Sequence, residues 1–145
     1  MSRKSARENA FKIIYNCALM KEPPHDMCEY FEETRREEAE MWAEEAMGAK
    51  DIEYMKEVVF GTSEMKNELN EKIAPLLKKW DVSRLPKVSL AILQLAIYEI
   101  DKMDDVPDKV AVNEAVELAK KYGEDDTYKF INGTLAEYLK SRADK

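Results

Sequence analysis

An all-α fold, with six to seven helices in a chain of 145 residues, is what the sequence predicts. Three observations carry that expectation. Apolar residues recur with a period near 3.6 over most of the chain. Only four glycines and five prolines interrupt it. No segment shows the alternating Val/Ile/Thr pattern of a half-buried strand. A hydrophobic content of 45% beside 37% charged residues fits a helical protein with a real core rather than a disordered chain.

The first helix is predicted from about Ser2 or Ser5 to Met20. Ser5 with Glu8 three residues on forms a capping box. Ala6, Ala10, Ile13, Ile14 and Cys17 make one apolar side, and Phe11 and Tyr15 lie on a neighbouring face. Pro23 and Pro24 end it, because neither can continue a helix. A Glu-rich helix follows over roughly Asp26 to Met47, offering Met27, Phe31 and Trp42 for burial; its polar middle, ETRREEAE, admits two pieces, and Gly48 stops it. A longer helix starts near Asp51, with Ile52, Met55, Val59, Met65, Leu69 and Ile73 at helical spacing. Pro75 kinks it or opens a new turn carrying Leu76, Leu77 and Trp80. DVSRLP connects to the most apolar helix, Pro86 to about Met103. Its VSLAILQLAIYEI run is apolar on nearly all sides and is expected at the centre of the core.

After DKMDDVP come two helices joined at Gly123. Pro107 marks the start of the first, where a missing N–H is harmless. Val112, Val116 and Ala119 form its stripe with Ala115 and Leu118 beside them. Lys120 and Lys121 complement the dipole in the last turn, and Gly123 is expected as a left-handed C-cap. Asp125 or Asp126 caps the final helix, whose apolar face runs Phe130, Ile131, Thr134, Leu135, Tyr138. Asn113 and Asn132 interrupt these faces against helix propensity. The expected reason is structural, the two amides satisfying buried backbone or each other, with Gly133 permitting close helix approach.

The formal net charge is −7, which argues against indiscriminate binding to nucleic acid or anionic membrane. The charge is uneven. Residues 1–22 hold five bases against two acids, a balance of +3, whereas residues 26–70 hold fourteen acids against five bases, a balance of −9. A basic head on an acidic body directs a polyanion to one place. Cys17 and Cys28 lack the spacing of zinc or redox motifs and read as reduced, inert thiols. His25, the sole histidine, follows a Pro-Pro turn and has no orienting partner for catalysis. The Glu pairs of the second helix lack the Glu-x-x-His pattern of a metal site, and no phosphate-binding glycine loop is present. No catalytic residue, metal or cofactor is assigned, and the expectation is a cytoplasmic non-enzyme without a signal or membrane-spanning segment.

Three blocks, SRKSARENAFKIIY, RLPKVSLAILQLAIYEI and VPDKVAVNEAVELAKKYGEDDTYKFINGTL, resemble the NusB family of transcription antitermination factors in order and spacing, from about Arg3 to Tyr138. NEAVELAKKYG…KFING is the specific part. The resemblance implies a single domain of two packed helical subdomains, about 1–80 and about 81–142. It implies binding to boxA RNA of ribosomal RNA leaders together with NusE, a ribosomal small-subunit protein, within an RNA polymerase antitermination complex. In some members it also implies a homodimer that covers the RNA surface. Arg3, Lys4, Arg7, Tyr15, Lys129 and Phe130 correspond to RNA-contacting positions, Asp126 and Ser89 to partner contacts. The chemistry agrees, since single-stranded RNA is held by cations on phosphates and by rings under bases. Arg3 and Arg7, at i and i+4, project on one side of the helix. Two departures stand out. Ser5 and Ala6 interrupt the usual basic run, and Ser89-Leu90 replaces an acidic–basic pair. The rival expectation is a helical protein–protein adaptor that has lost RNA binding.

Overall fold

A computed structural model describes residues 3–20, 49–78 and 81–143, all helices, 3-10 turns and loops. The predicted Glu-rich helix, with Met27, Phe31 and Trp42, lies outside the described residues, as do Pro23, Pro24, His25, Cys28, Gly48 and Trp80. Among the described residues no helix is long and apolar enough to cross a membrane. The chain divides into two compact units, Met1–Ser63 and Glu64–Lys145.

In the first unit, α1 (Arg3–Met20) buries Ala6, Ala10, Ile13 and Ile14 of the predicted apolar side, and also Phe11, which was expected on the neighbouring face. Cys17 is half-buried. The next helix, α2 (Ala49–Glu64), buries Tyr54, Met55, Val58 and Val59. The long helix expected from Asp51 does not run on. It breaks at Met65, whose φ of −97° and ψ of 14° leave the helical region. The cause lies one turn earlier, in the weak helix formers Gly61, Thr62 and Ser63. Thr62 Oγ1 donates back to the carbonyls of Val58 at 2.7 Å and Val59 at 3.0 Å, a pattern that bends helices.

The second unit begins with α3 (Lys66–Ile73), which passes into a 3-10 turn at Ala74–Leu76 built on Pro75. A second 3-10 turn, Val82–Arg84, leads to α4 (Lys87–Lys102). Every residue of α4 from Ser89 to Ile100 is buried, so the most apolar segment is indeed the core helix. Its β-branched residues are mediocre helix formers, but burying each Ile or Leu contributes roughly 1.5–3 kcal/mol, far more than propensity subtracts. Around it pack α3, α5 (Asp108–Tyr122) and α6 (Thr127–Ala143), and α5 also lies against α6. The buried side of α5 is Ala111, Ala115, Leu118 and Ala119, while Val112 and Val116 are half-buried. The inner face is therefore turned slightly from the predicted stripe, with alanines at its centre.

One polar node ties these helices together. Asp101, near the end of α4, accepts from Lys72 Nζ of α3 at 2.7 Å, from the Tyr138 hydroxyl of α6, and from Arg142 Nη1 at 3.1 Å. Arg142 also donates to the Ile100 carbonyl at 3.3 Å and to Asp108 of α5 at 3.1 Å. Burial acts to raise the Asp101 pKa, but these hydrogen bonds and the Lys72 charge outweigh it and hold the carboxyl below 3.8. The same burial, with the Asp101 carboxylate, pushes the Tyr138 hydroxyl well above its usual range. Gln94 adds a second α3–α4 link, donating to Asn70 Oδ1 at 2.9 Å.

Three sequence expectations in this unit are corrected. Gly123 has φ −90° and ψ 179°, extended backbone rather than a left-handed cap. Its requirement is steric, because a Cβ there would lie 2.6 Å from Thr127 Cβ and 2.8 Å from the Ala119 carbonyl oxygen. Asn113 and Asn132 are both exposed, so neither amide satisfies buried backbone. Gly133 is exposed too, and a Cβ there would meet nothing within 4 Å among the described residues, so no described helix approaches it closely.

Candidate nucleic-acid interface

The basic start of α1 is only partly a solvated surface. Lys4 is exposed. The Arg3 side chain is 37% exposed, with Nε 3.8 Å from Asp51 and its guanidinium 4.5 Å from the centre of the buried Tyr54 ring. Arg7 is 5% exposed, and its guanidinium lies 5.6 Å from the same ring. The i, i+4 spacing does bring both arginines to one place, but that place is the inner side of α1, against α2. A long apolar stem lets arginine line a packed helix face while its planar head rests on an aromatic ring. The charge of Arg7 reads as solvated, although position 7 lies three and seven residues before Ala10 and Ile14, on the apolar face. Tyr15 is half-buried and stacks on Phe11, ring centres 6.0 Å apart and 14° from parallel.

In the second unit, the exposed ridge of α6 faces the chain just after the Pro75 turn. Leu76, Lys78, Lys129, Phe130, Gly133, Thr134 and Glu137 line an open groove of about 380 Å³. Positions 129, 130, 133, 134 and 137 fall on one helical face, one to two turns long. Phe130 is half-buried and Lys78 exposed, and both line this groove. The Lys129 side chain is 66% exposed, its ammonium 3.5 Å from Asp126 and 5.9 Å from the Tyr128 ring. Lys120, brought round by the Gly123 corner, reaches the same ring at 5.4 Å. Asp126 is 84% exposed; its carbonyl accepts from the backbone N–H groups of Lys129 and Phe130, which puts it at the first turn of α6.

Ser89 is placed differently. It is 4% exposed and Leu90 is 9% exposed, within the buried run of α4. A glutamate-length side chain can reach water from such a position, whereas a hydroxyl on one carbon cannot. Ser89 therefore presents no exposed group to a partner.

A profile of the NusB family matches residues 4–140. The chain belongs to the NusB family. Similar relatives include the transcription antitermination protein NusB of Clostridium botulinum, 39% identical over 144 residues, spanning 96% of this chain and all of that one. Among solved structures, NusB of T. maritima superposes with a TM-score of 0.82 at 28% identity, covering 97% of this chain and 92% of that one. A crystal structure of the antitermination factors NusB and NusE in complex with dsRNA gives 0.80 at 27% identity, with 96% of each chain covered. The NusB fold is thus shown over the length of the chain, together with its all-helical class.

Sequence reasoning missed four features of these surfaces. Tyr54 sits in an ordinary position of α2, and no local pattern marks it as the partner of two arginines fifty residues away. Lys78 and Leu76 join the α6 groove only through the Pro75 turn. Lys120 and Tyr128 meet because Gly123 folds α5 back on α6. Gly133 was visible as a helix-interior glycine, but its openness is a property of the tertiary structure.

Proposed function

We propose that this chain is an RNA-binding transcription antitermination factor that takes boxA-type RNA of ribosomal RNA leaders together with NusE and joins an RNA polymerase antitermination complex in the cytoplasm. The observation that carries the reading is the α6 groove, where an exposed lysine and a half-buried aromatic ring stand side by side at Lys129 and Phe130. Such a pair supplies both contacts that a single strand needs, a cation for phosphate and a ring for a base. Family membership supports it, as does the likeness to a NusB that binds NusE and dsRNA. In the first unit the phosphate contacts fall to Lys4 and the half-exposed Arg3, and Tyr15 offers its ring edge. Arg7 acts from within, holding Tyr54 and hence Arg3 in place. Asp126, exposed at the start of α6, is the proposed contact for NusE.

Few cations are involved, so RNA binding by the free protein is weak and the NusE partner adds surface. Titration of boxA-like single-stranded RNA with and without NusE, at several salt concentrations, tests this. The pair binds RNA more tightly than either protein alone. Lys4→Ala with Lys129→Ala lowers the slope of log K against log salt by about 0.7 for each phosphate no longer neutralised. An unaltered slope removes both lysines from the interface. Arg7→Ala instead lowers stability by the roughly 1–2 kcal/mol of a desolvated cation–π contact, read as a lower Tm, with the slope unchanged.

The burial of Arg7 favours a second reading, in which the chain is a protein–protein adaptor that has lost RNA binding. It holds if RNA never tightens the pair at any salt concentration.

A further inference from the structure

Gly133 is a helix-interior glycine for which no neighbour among the described residues gives a reason. It occupies the seventh position of α6, well away from either end, and glycine is the poorest helix former after proline. Helices keep such residues where a turn, a bulge or a close neighbour demands them. Among the described residues none applies, since α6 runs unbroken through the position and an added Cβ would meet none of them within 4 Å. The space it would enter belongs to the groove that Gly133 helps to line. At this point the groove floor is bare helix backbone, with Phe130 one turn before it and Thr134 beside it.

We propose that Gly133 is the floor of a nucleotide notch, where one nucleotide of a bound RNA strand lies against the α6 backbone at a distance that any side chain would prevent. The proposal rests on the RNA-binding reading and adds to it the residue that sets the depth of the site. Charge complementarity selects the occupant. Lys78 and Lys129 stand on the two walls, reached by a polyanion passing between them, and Phe130 offers a ring to the base. Glu137, one turn beyond Gly133, closes the far end to phosphate and limits the cationic part of the groove to about one nucleotide. With a volume of about 380 Å³, the groove falls within the range of roughly 300–1,000 Å³ typical of small-molecule sites.

Gly133→Ala separates the two demands on this position, because stability and binding move in opposite directions. Alanine is the better helix former and meets no neighbour, so Tm rises by roughly 2–4 °C. Affinity of the NusE-bound protein for single-stranded boxA-like RNA falls on the order of tenfold, and further with Gly133→Leu, which fills the notch. Affinity for NusE alone stays unchanged. A higher Tm with undiminished RNA affinity overturns the notch while leaving the RNA reading intact, provided Lys129→Ala still weakens binding. A loss of NusE affinity without RNA assigns the notch to a protein and overturns the proposal. A lower Tm contradicts the open space on which it stands. Failure of the unaltered pair to bind RNA at all removes the functional reading and the notch together.

Discussion

Asp101→Ala lowers the stability of the protein by about 2–3 kcal/mol. Three donors from two helices converge on this carboxylate, whose side chain is only 10% exposed. Hydrogen bonds to a charged group contribute roughly 1.5–3 kcal/mol each, but they share one acceptor. Lys72 and Arg142, about 35% and 40% exposed, recover part of their hydration once released, which keeps the total below a simple sum. By chemical denaturation the variant should unfold at a lower midpoint. Tyr138→Phe, which removes one donor and leaves the other two, should cost only about 1 kcal/mol.

The same node sets a pH dependence with a definite sign. The folded pKa of Asp101 lies below 3.8, so the unfolded chain binds its proton first as the solution is acidified. The stabilisation is complete above the ordinary carboxylate value and is lost as pH falls from there through the lower folded value. Stability measured for the parent and for Asp101→Asn should therefore converge in acid below about pH 4 and stay parallel above about pH 5. A gap that persists unchanged into strong acid would mean that the carboxylate charge is not what the node uses.

Gly123→Ala is the second large effect, a loss of about 1–3 kcal/mol from overpacking. The new methyl would stand 2.7 Å from Thr127 Cγ2 and 2.8 Å from the Ala119 carbonyl, distances that force the α5–α6 corner apart. The extended backbone of Gly123 makes a sharp distinction possible. At a left-handed cap asparagine outperforms alanine, because its short polar side chain tolerates that conformation. At an extended, crowded position asparagine is the larger intruder and does no better. Melting temperatures of Gly123→Ala and Gly123→Asn decide between these accounts; a clearly more stable asparagine variant would restore the cap.

These residues also mark the boundary of what a linear pattern can reveal. Lys129 and Phe130 were singled out only through the family resemblance, periodicity having placed Phe130 on the apolar face. The all-helical class and the core helix from Ser89 to Ile100 were readable, because hydrophobic period is a local property. The break at Met65 was less so, since Thr62 declares its back-bonding only in a formed helix. Arg7, given as an RNA-contacting position by the family resemblance, is buried, because charge is a poor guide to burial when a ring waits beneath. Gly123 and Gly133 each signalled a special position, but the letter G does not say whether the special thing is torsion, a crowded neighbour or vacant space. That distinction belongs to the tertiary arrangement.

The Asp101 node has a mechanical consequence. Arg142 and Phe130 sit on one continuous helix, twelve residues and so about 18 Å apart. Clamped at the Arg142 end to Ile100, Asp101 and Asp108, that rod holds its opposite tip in register. Carboxypeptidase trimming past Arg142 would loosen the clamp and let the tip swing, blurring a binding surface several turns away without touching any residue in it.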